Sequence, residues 1–340
     1  MLAIAAFSLA GAAIPAAATN DEFSENGNIL ISDQFNNRVI EIDRDHRVVW
    51  QFGIGPNDVS KESILGVNDA QRVGDLTLMA GTGVPSGAEP NCPNGCVDNR
   101  VILVDRAGHI KWQYGTFGVT GSADNELNTP VQDTWLPNGH VLITDQGNGR
   151  IIEVNKAHHV VWQYPQVPDP AKLNNPNSAE LLENGHILIS DENNNRVIEV
   201  SRNHDIVWQY PKVIDTGKLN GAAFASRLEN GNTLITDSSN NRVIEVNHAG
   251  NVVWSFVTNT RPYSNANPLP TRAVRLDNGH TLISDQFNHQ VIEVNHAHKV
   301  VFTQGTINVP GDGFNGLNAP YDAKEIGDYT GLTPPFNEND

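Results

Sequence analysis

The chain has 340 residues, with 22 basic and 39 acidic side chains and a formal charge of −17. No basic run occurs anywhere, and an acidic surface repels phosphate backbones, which excludes nucleic acid as a natural partner. The length suffices for one large domain with a substantial core.

Residues 2–18, LAIAAFSLAGAAIPAAA, are apolar and end in small residues. They read as the apolar region and A-x-A-type cleavage site of a signal peptide over 1–18, although only Met1 stands where a basic start is usual. A membrane anchor is the rival reading, weakened by Pro15 and the alanines, since a spanning helix wants roughly 20 strongly apolar residues. No later segment is apolar enough to span, so the expectation is a secreted or extracytoplasmic protein with no integral span in its mature form. Residues 19–25 follow as a linker.

From Asn26 one phrase recurs. Its clearest copy, residues 184–210, is NGHILISDENNNRVIEVSRNHDIVWQY. Aligned on its glycine, the copies fall at Gly27, Gly74, Gly139, Gly185, Gly231 and Gly279, in steps of 47, 65, 46, 46 and 48 residues. Repeats of this length cannot bury their own apolar face and must stack on their neighbours. In the fourth copy, residues 178–182, 187–190, 196–200 and 206–210 are rich in β-branched and aromatic residues, and polar turns such as Asn184-Gly185 separate them. Four antiparallel strands per repeat predict an all-β, six-bladed propeller over residues 26–328, with 329–340 as a tail. The innermost-strand pattern is missing before the first phrase. It appears instead at Pro320-Tyr321-Asp322-Ala323-Lys324-Glu325-Ile326, so this late strand is expected to complete blade 1 and remove two sheet edges.

The recurrent residues read as scaffold. Asp33, Asp145, Asp191, Asp237 and Asp285 end second strands, and Arg38, Arg150, Arg196 and Arg242 begin third strands, where they can pair across the hairpin. Blade 2 has Ala80 for the aspartate and blade 6 has Gln290 for the arginine. Trp50, Trp112, Trp162, Trp208 and Trp254, with Phe302, are expected to pack between blades. Glu41, Glu153, Glu199, Glu245 and Glu293 recur in third strands, interrupted by Leu103, as solvated or paired groups. The two cysteines, Cys92 and Cys96 in NCPNGC, predict a small disulfide-closed loop, because no further metal ligands are spaced nearby.

The string GNILISDQFNNRVIEI (residues 27–42) resembles the NHL repeat, whose pattern runs roughly G-N-x-x-V-x-D-x-x-N-x-R-I-x-V. The match recurs in five copies and covers about residues 26–326. The resemblance implies the propeller fold. It is compatible with protein- and RNA-binding modules, a peptide-amidating lyase, and related metal-dependent lactonases and strictosidine synthase-like enzymes.

Segments 53–67, 81–97, 115–129, 165–175, 211–222, 257–269 and 305–319 differ from one another and map to one face, where function tends to reside. Residues entering the innermost strands should ring the channel mouth there. Asn68, Gln132, Asn177, Arg272 and Tyr321 are the candidate ligand-binding set. Asp69, Asp133 and Asp322 are candidate ligands for a hard cation such as Ca²⁺. Asp133 replaces the alanine of its column (Ala70, Ala179, Ala225, Ala273, Ala323). It therefore either caps a loop, pairs with Arg272 or Arg275, or serves a metal or a reaction. His289, standing where other blades carry asparagine, is a second catalytic candidate as a general base. The favoured function is a binding or interaction protein that takes a small molecule, carbohydrate or protein partner on its loop-rich face. The alternative is a metal-dependent lactonase-type hydrolase or lyase.

Overall fold

The computed structural model describes residues 22–167, 169, 172–215 and 217–335; the expected signal peptide lies outside them. Six four-stranded antiparallel sheets form the blades. In the fourth the strands are Pro176–Leu181, Ile187–Asp191, Arg196–Val200 and Ile206–Tyr210, close to the sequence reading. Ring closure is as expected: Pro320–Glu325 pairs antiparallel with Ile29–Asp33, placing Ala323 opposite Ile31. In blade 2 the hairpin is longer than expected. Leu76–Val84 pairs with Cys96–Asp105, so part of the segment read as loop is strand, and the Cys92–Cys96 disulfide closes its tip.

The apolar core lies between blades. One cluster joins Leu188, Val197 and Tyr210 of blade 4 to Ala225, Ile235 and Ile244 of blade 5, which is how units that cannot bury a face alone become stable. Charge links most of the same joints. Each recurrent third-strand glutamate meets an arginine of the next blade: Glu41–Arg72 at 2.5 Å, Glu153–Arg202 at 2.5 Å, Glu199–Arg227 at 3.0 Å, Glu245–Arg275 at 2.9 Å and Glu293–Arg44 at 2.6 Å. Between blades 2 and 3 the link is apolar instead. Leu103 lies in a cluster with Trp112 and Trp135, and those two rings stand 5.8 Å apart.

The Asp–Arg pairs span the hairpins of four blades at 2.6–2.8 Å. Each aspartate also accepts a backbone N–H from the incoming loop, as Asp191 does from Asn174. The two exceptions are repaired from elsewhere. In blade 2, Asp98 pairs with Arg100 and receives the N–H of Leu65. In blade 6, Arg261 arrives from the preceding loop to hold Asp285, and it also donates to Gln290. Burial holds the Asp285 carboxyl at about 6, with Arg261 opposing. Removing one partner of a buried pair strands the other, so Arg261→Ala should cost about 3 kcal/mol in urea unfolding at pH 8. Below the carboxylate's folded value the loss should shrink, because Asp285 can then take up a proton.

Candidate functional site

The closing strand builds the axial cluster. Asp322 and Lys324 lie two residues apart on it, so their side chains point to the same side. Lys324 Nζ donates to Asp69 Oδ1 at 2.8 Å, to the Ala70 carbonyl at 3.0 Å, and to Asp322 Oδ2. Asp133 is drawn in from blade 3, its N–H 3.4 Å from Asp69 Oδ2. The three aspartates singled out from sequence therefore converge, but around an ammonium group belonging to the chain itself.

The electrostatics follow from burial. Asp133 is 1% exposed, and neither carboxyl oxygen has a hydrogen-bond donor. Burial first, and the Asp69 charge second, hold its pKa well above the ordinary value, which favours the protonated form. Burial raises Asp322 to about 6, with Lys324 opposing. Burial works against the Lys324 ammonium, yet Asp322 and Asp69 together raise its pKa. Among the described residues no group of three or more His, Cys, Asp or Glu side chains is arranged to hold a metal ion. The cluster does not fit Ca²⁺, which wants six to eight oxygens, while Lys324 occupies its centre.

Towards the short-turn face the axis is sealed by residues that follow the closing strand. Thr333 donates N–H and O–H to Glu180 Oε2 at 2.9 and 2.7 Å, and Gln132 Nε2 donates to Glu180 Oε1 at 2.9 Å. Burial raises Glu180 to about 7, and the bonds from Thr333 oppose the rise. A small space remains beneath, lined by Asp133, Glu180, Lys324, Leu332 and Thr333 among others.

At the loop-rich end the expected mouth residues meet and fill the opening. Arg272 is 1% exposed and reaches across the axis. It donates to Asn177 Oδ1 and to the carbonyls of Asn177, Ala223 and Val131 at 3.0–3.1 Å. Its guanidinium lies over the rings of Tyr321 and Phe224, 5.0 and 5.4 Å from their centroids. Tyr321 hydrogen-bonds Asn177, and Asn68 accepts from Gln34, which in turn accepts from Gln286. Gln132 lies deeper, on Glu180. Asn68, Asn177, Arg272 and Tyr321 thus cork the channel with mutual contacts, and Gln132 lies outside that set. His289 stands apart from them. Its Nδ1 accepts the Ala319 N–H at 3.0 Å, as Asn37 and Asn195 accept the N–H of Gly66 and Gly221. Burial lowers its pKa, which suits a neutral acceptor.

Sequence reasoning missed Lys324, Glu180 and Phe224. The signal for Lys324 was present: it is the only lysine in an innermost strand, next to the Asp322 already singled out. Phe224 sits at the register position of Arg272, both facing the serine or threonine two residues before a hairpin turn.

No family model matches the chain, and no curated protein matches it significantly. Solved structures do share its fold. A streptogramin B lyase aligns at 12% identity over 93% of this chain and 89% of its own, with a TM-score of 0.55. A protein of unknown function from Bacteroides caccae aligns at 15% identity over 82% and 93%, with a TM-score of 0.54. A nidogen/laminin complex contains a chain that aligns at 12% identity over 81% and 92%, also with a TM-score of 0.54. At such identities these likenesses place the chain among β-propellers by fold.

Proposed function

We propose that this propeller is a binding protein that engages an extracytoplasmic partner through its loop-rich face. One observation carries the reading. Every inter-blade loop on that face exposes a large apolar side chain: Ile54 (84%), Val119, Val167, Val213 with Ile214, Tyr263 (85%), and Val309 with Phe314 (85%). The short turns of the opposite face expose none among the described residues; the remaining exposed apolar side chains lie on strands, most of them outer edge strands. Scattered surface apolar residues are ordinary, but the presence of one or more in every varied loop of one face, against none in the described short turns of the other, supports an interaction surface. The corked axis favours a partner that lies across the loops over a ligand that enters the channel. The Cys92–Cys96 disulfide suits an oxidising compartment.

The test is a fourfold variant, Ile54→Ser, Val213→Ser, Tyr263→Ser and Phe314→Ser, used beside wild type as bait in cross-linking from the extracytoplasmic fraction. The variant should unfold within about 0.5 kcal/mol of wild type, as surface changes do, while losing the partners that wild type captures. Equal capture by both would refute the reading.

A second reading, a lyase or hydrolase, is supported by the lyase fold-mates; a metal-assisted form of it would need a cation to displace Lys324 from among Asp69, Asp133 and Asp322. Metal analysis and thermal unfolding with chelator separate the two. Binding protein is expected to unfold at the same temperature with or without chelator or Ca²⁺, and to leave a streptogramin B and simple lactones intact by mass spectrometry. A stoichiometric cation whose removal lowers the unfolding temperature would transfer the weight to catalysis.

A further inference from the structure

Five of the six outer strands carry an aromatic pair and the sixth carries Phe302 alone, and the turn between third and fourth strands of the next blade packs there. Four joints put a histidine there in the left-handed conformation: His46 on Phe302, His158 on Trp112 and Tyr114, His204 on Trp162 and Tyr164, and His298 on Trp254. His204 shows the slot best, lying 5.6 Å from the Trp162 ring and 6.2 Å from Tyr164, within 9° of parallel to both.

The joint between blades 4 and 5 has the aromatic pair, Trp208 and Tyr210, but Gly250 in place of the histidine. Gly250 keeps the left-handed conformation (φ +83°), and a Cβ there would stand 3.6 Å from the Tyr210 ring. The side chain that fills the slot elsewhere is missing, and a cavity lies at this position, lined by Trp208, Tyr210, Lys212, Lys218 and Gly250 among others. The only other glycine joint is closed differently. Gly108 faces Phe52 there, and Phe23 packs against Trp50, leaving it 7% exposed. At the open joint the Arg227 guanidinium sits over Trp208, 4.8 Å from the ring centroid.

We infer that this vacated slot, on the outer rim between blades 4 and 5, binds a small planar aromatic acid. The ring takes the place of the repeat's own imidazole against Trp208 and Tyr210, and the carboxylate meets Lys212 and Lys218. Two cationic side chains at one cleft of a chain with net charge −17 select an anionic ligand locally. The site adjoins the loop-rich face, since Lys212 and Lys218 belong to segment 211–222 and Val213 also lines the cavity, but its aromatic floor is the joint between blades 4 and 5.

Indole-3-acetate and neutral indole are the probes, followed by calorimetry and ligand-observed NMR. Wild type should bind indole-3-acetate saturably in the micromolar to low-millimolar range. Gly250→His supplies the missing imidazole in a conformation the other blades already give histidine, and should weaken binding at least about tenfold. Lys212→Gln with Lys218→Gln should weaken indole-3-acetate several-fold and leave indole unchanged. Unfolding curves of the variants establish that each is folded. Absence of saturable binding to wild type, or equal binding by folded Gly250→His protein, overturns the proposal.

Discussion

Replacing Lys324 by methionine should cost about 3–5 kcal/mol at pH 8, the range expected when one member of a buried charge cluster is removed. The ammonium holds Asp69 and Asp322 directly and is almost out of water. Without it, Asp69, Asp133 and Asp322 face one another in a space with no other cation in hydrogen-bond contact. The pH dependence fixes the cause. A carboxyl whose folded pKa is raised, as Asp322 is to about 6, contributes stability that is present below its unfolded value of about 3.9 and lost as pH rises through 6. Loss of Lys324 pushes that folded value higher still, so the gap between variant and wild type should be widest above pH 7 and narrow towards pH 5. Glu153, Glu199 and Glu293, whose pKa values are lowered, destabilise the ring in acid, but they do so in both proteins and cancel in the difference. Urea titrations at pH 5 and 8 measure it. Adding Asp322→Asn to Lys324→Met should recover part of the loss, since the two sites share one interaction. A gap that does not change with pH would mean that Lys324 acts only by packing.

Ending the chain at residue 319 should abolish cooperative unfolding altogether. Such a truncation removes the innermost strand of blade 1, bares the inner edge of Ile29–Asp33, and takes with it Tyr321, Asp322 and Lys324. Ending at 328 is the informative comparison. It keeps the closing strand and removes only the contacts of Tyr329, Leu332 and Thr333, including the two bonds from Thr333 to Glu180. The longer truncation should bind a hydrophobic dye and lose its unfolding transition. The shorter one should unfold cooperatively, with a loss of about 1–3 kcal/mol for the bonds no longer made to a buried charged group. If the 319 truncation still unfolds cooperatively, the closure is ornamental.

The architecture was legible because one phrase repeats: strand length, turn position and the late closing strand all follow from aligning it with itself. The joints were half legible. Recurrent tryptophans announced a role between blades, whereas the recurrent glutamates read only as solvated or paired groups; that each finds its arginine in the following blade was hidden, since Arg72, Arg202, Arg227, Arg275 and Arg44 occupy no single column of the repeat. The axis was least legible. Alignment singled out Asp69, Asp133 and Asp322 by their columns and left open whether they converge. What lies among them depends on Lys324, a residue without counterparts in the other blades, and what seals them depends on Thr333, which lies outside the repeat. His289 illustrates the same limit: its departure from asparagine looked chemical, and its ring nitrogen accepts the same kind of backbone N–H as the asparagine oxygen does.

The late closing strand has a consequence in time. Ile29–Asp33 leaves the ribosome on the order of 15–60 s before Pro320–Glu325, at ordinary elongation rates. Throughout that interval the first sheet has three strands and an unpaired inner edge, and Asp69 has no cation to face. A nascent chain can assemble the middle blades on one another, but it cannot become a ring until its last strand arrives. Production of this protein should therefore depend on whatever shields an open sheet edge during synthesis, and interrupted synthesis should yield chains that aggregate by that edge.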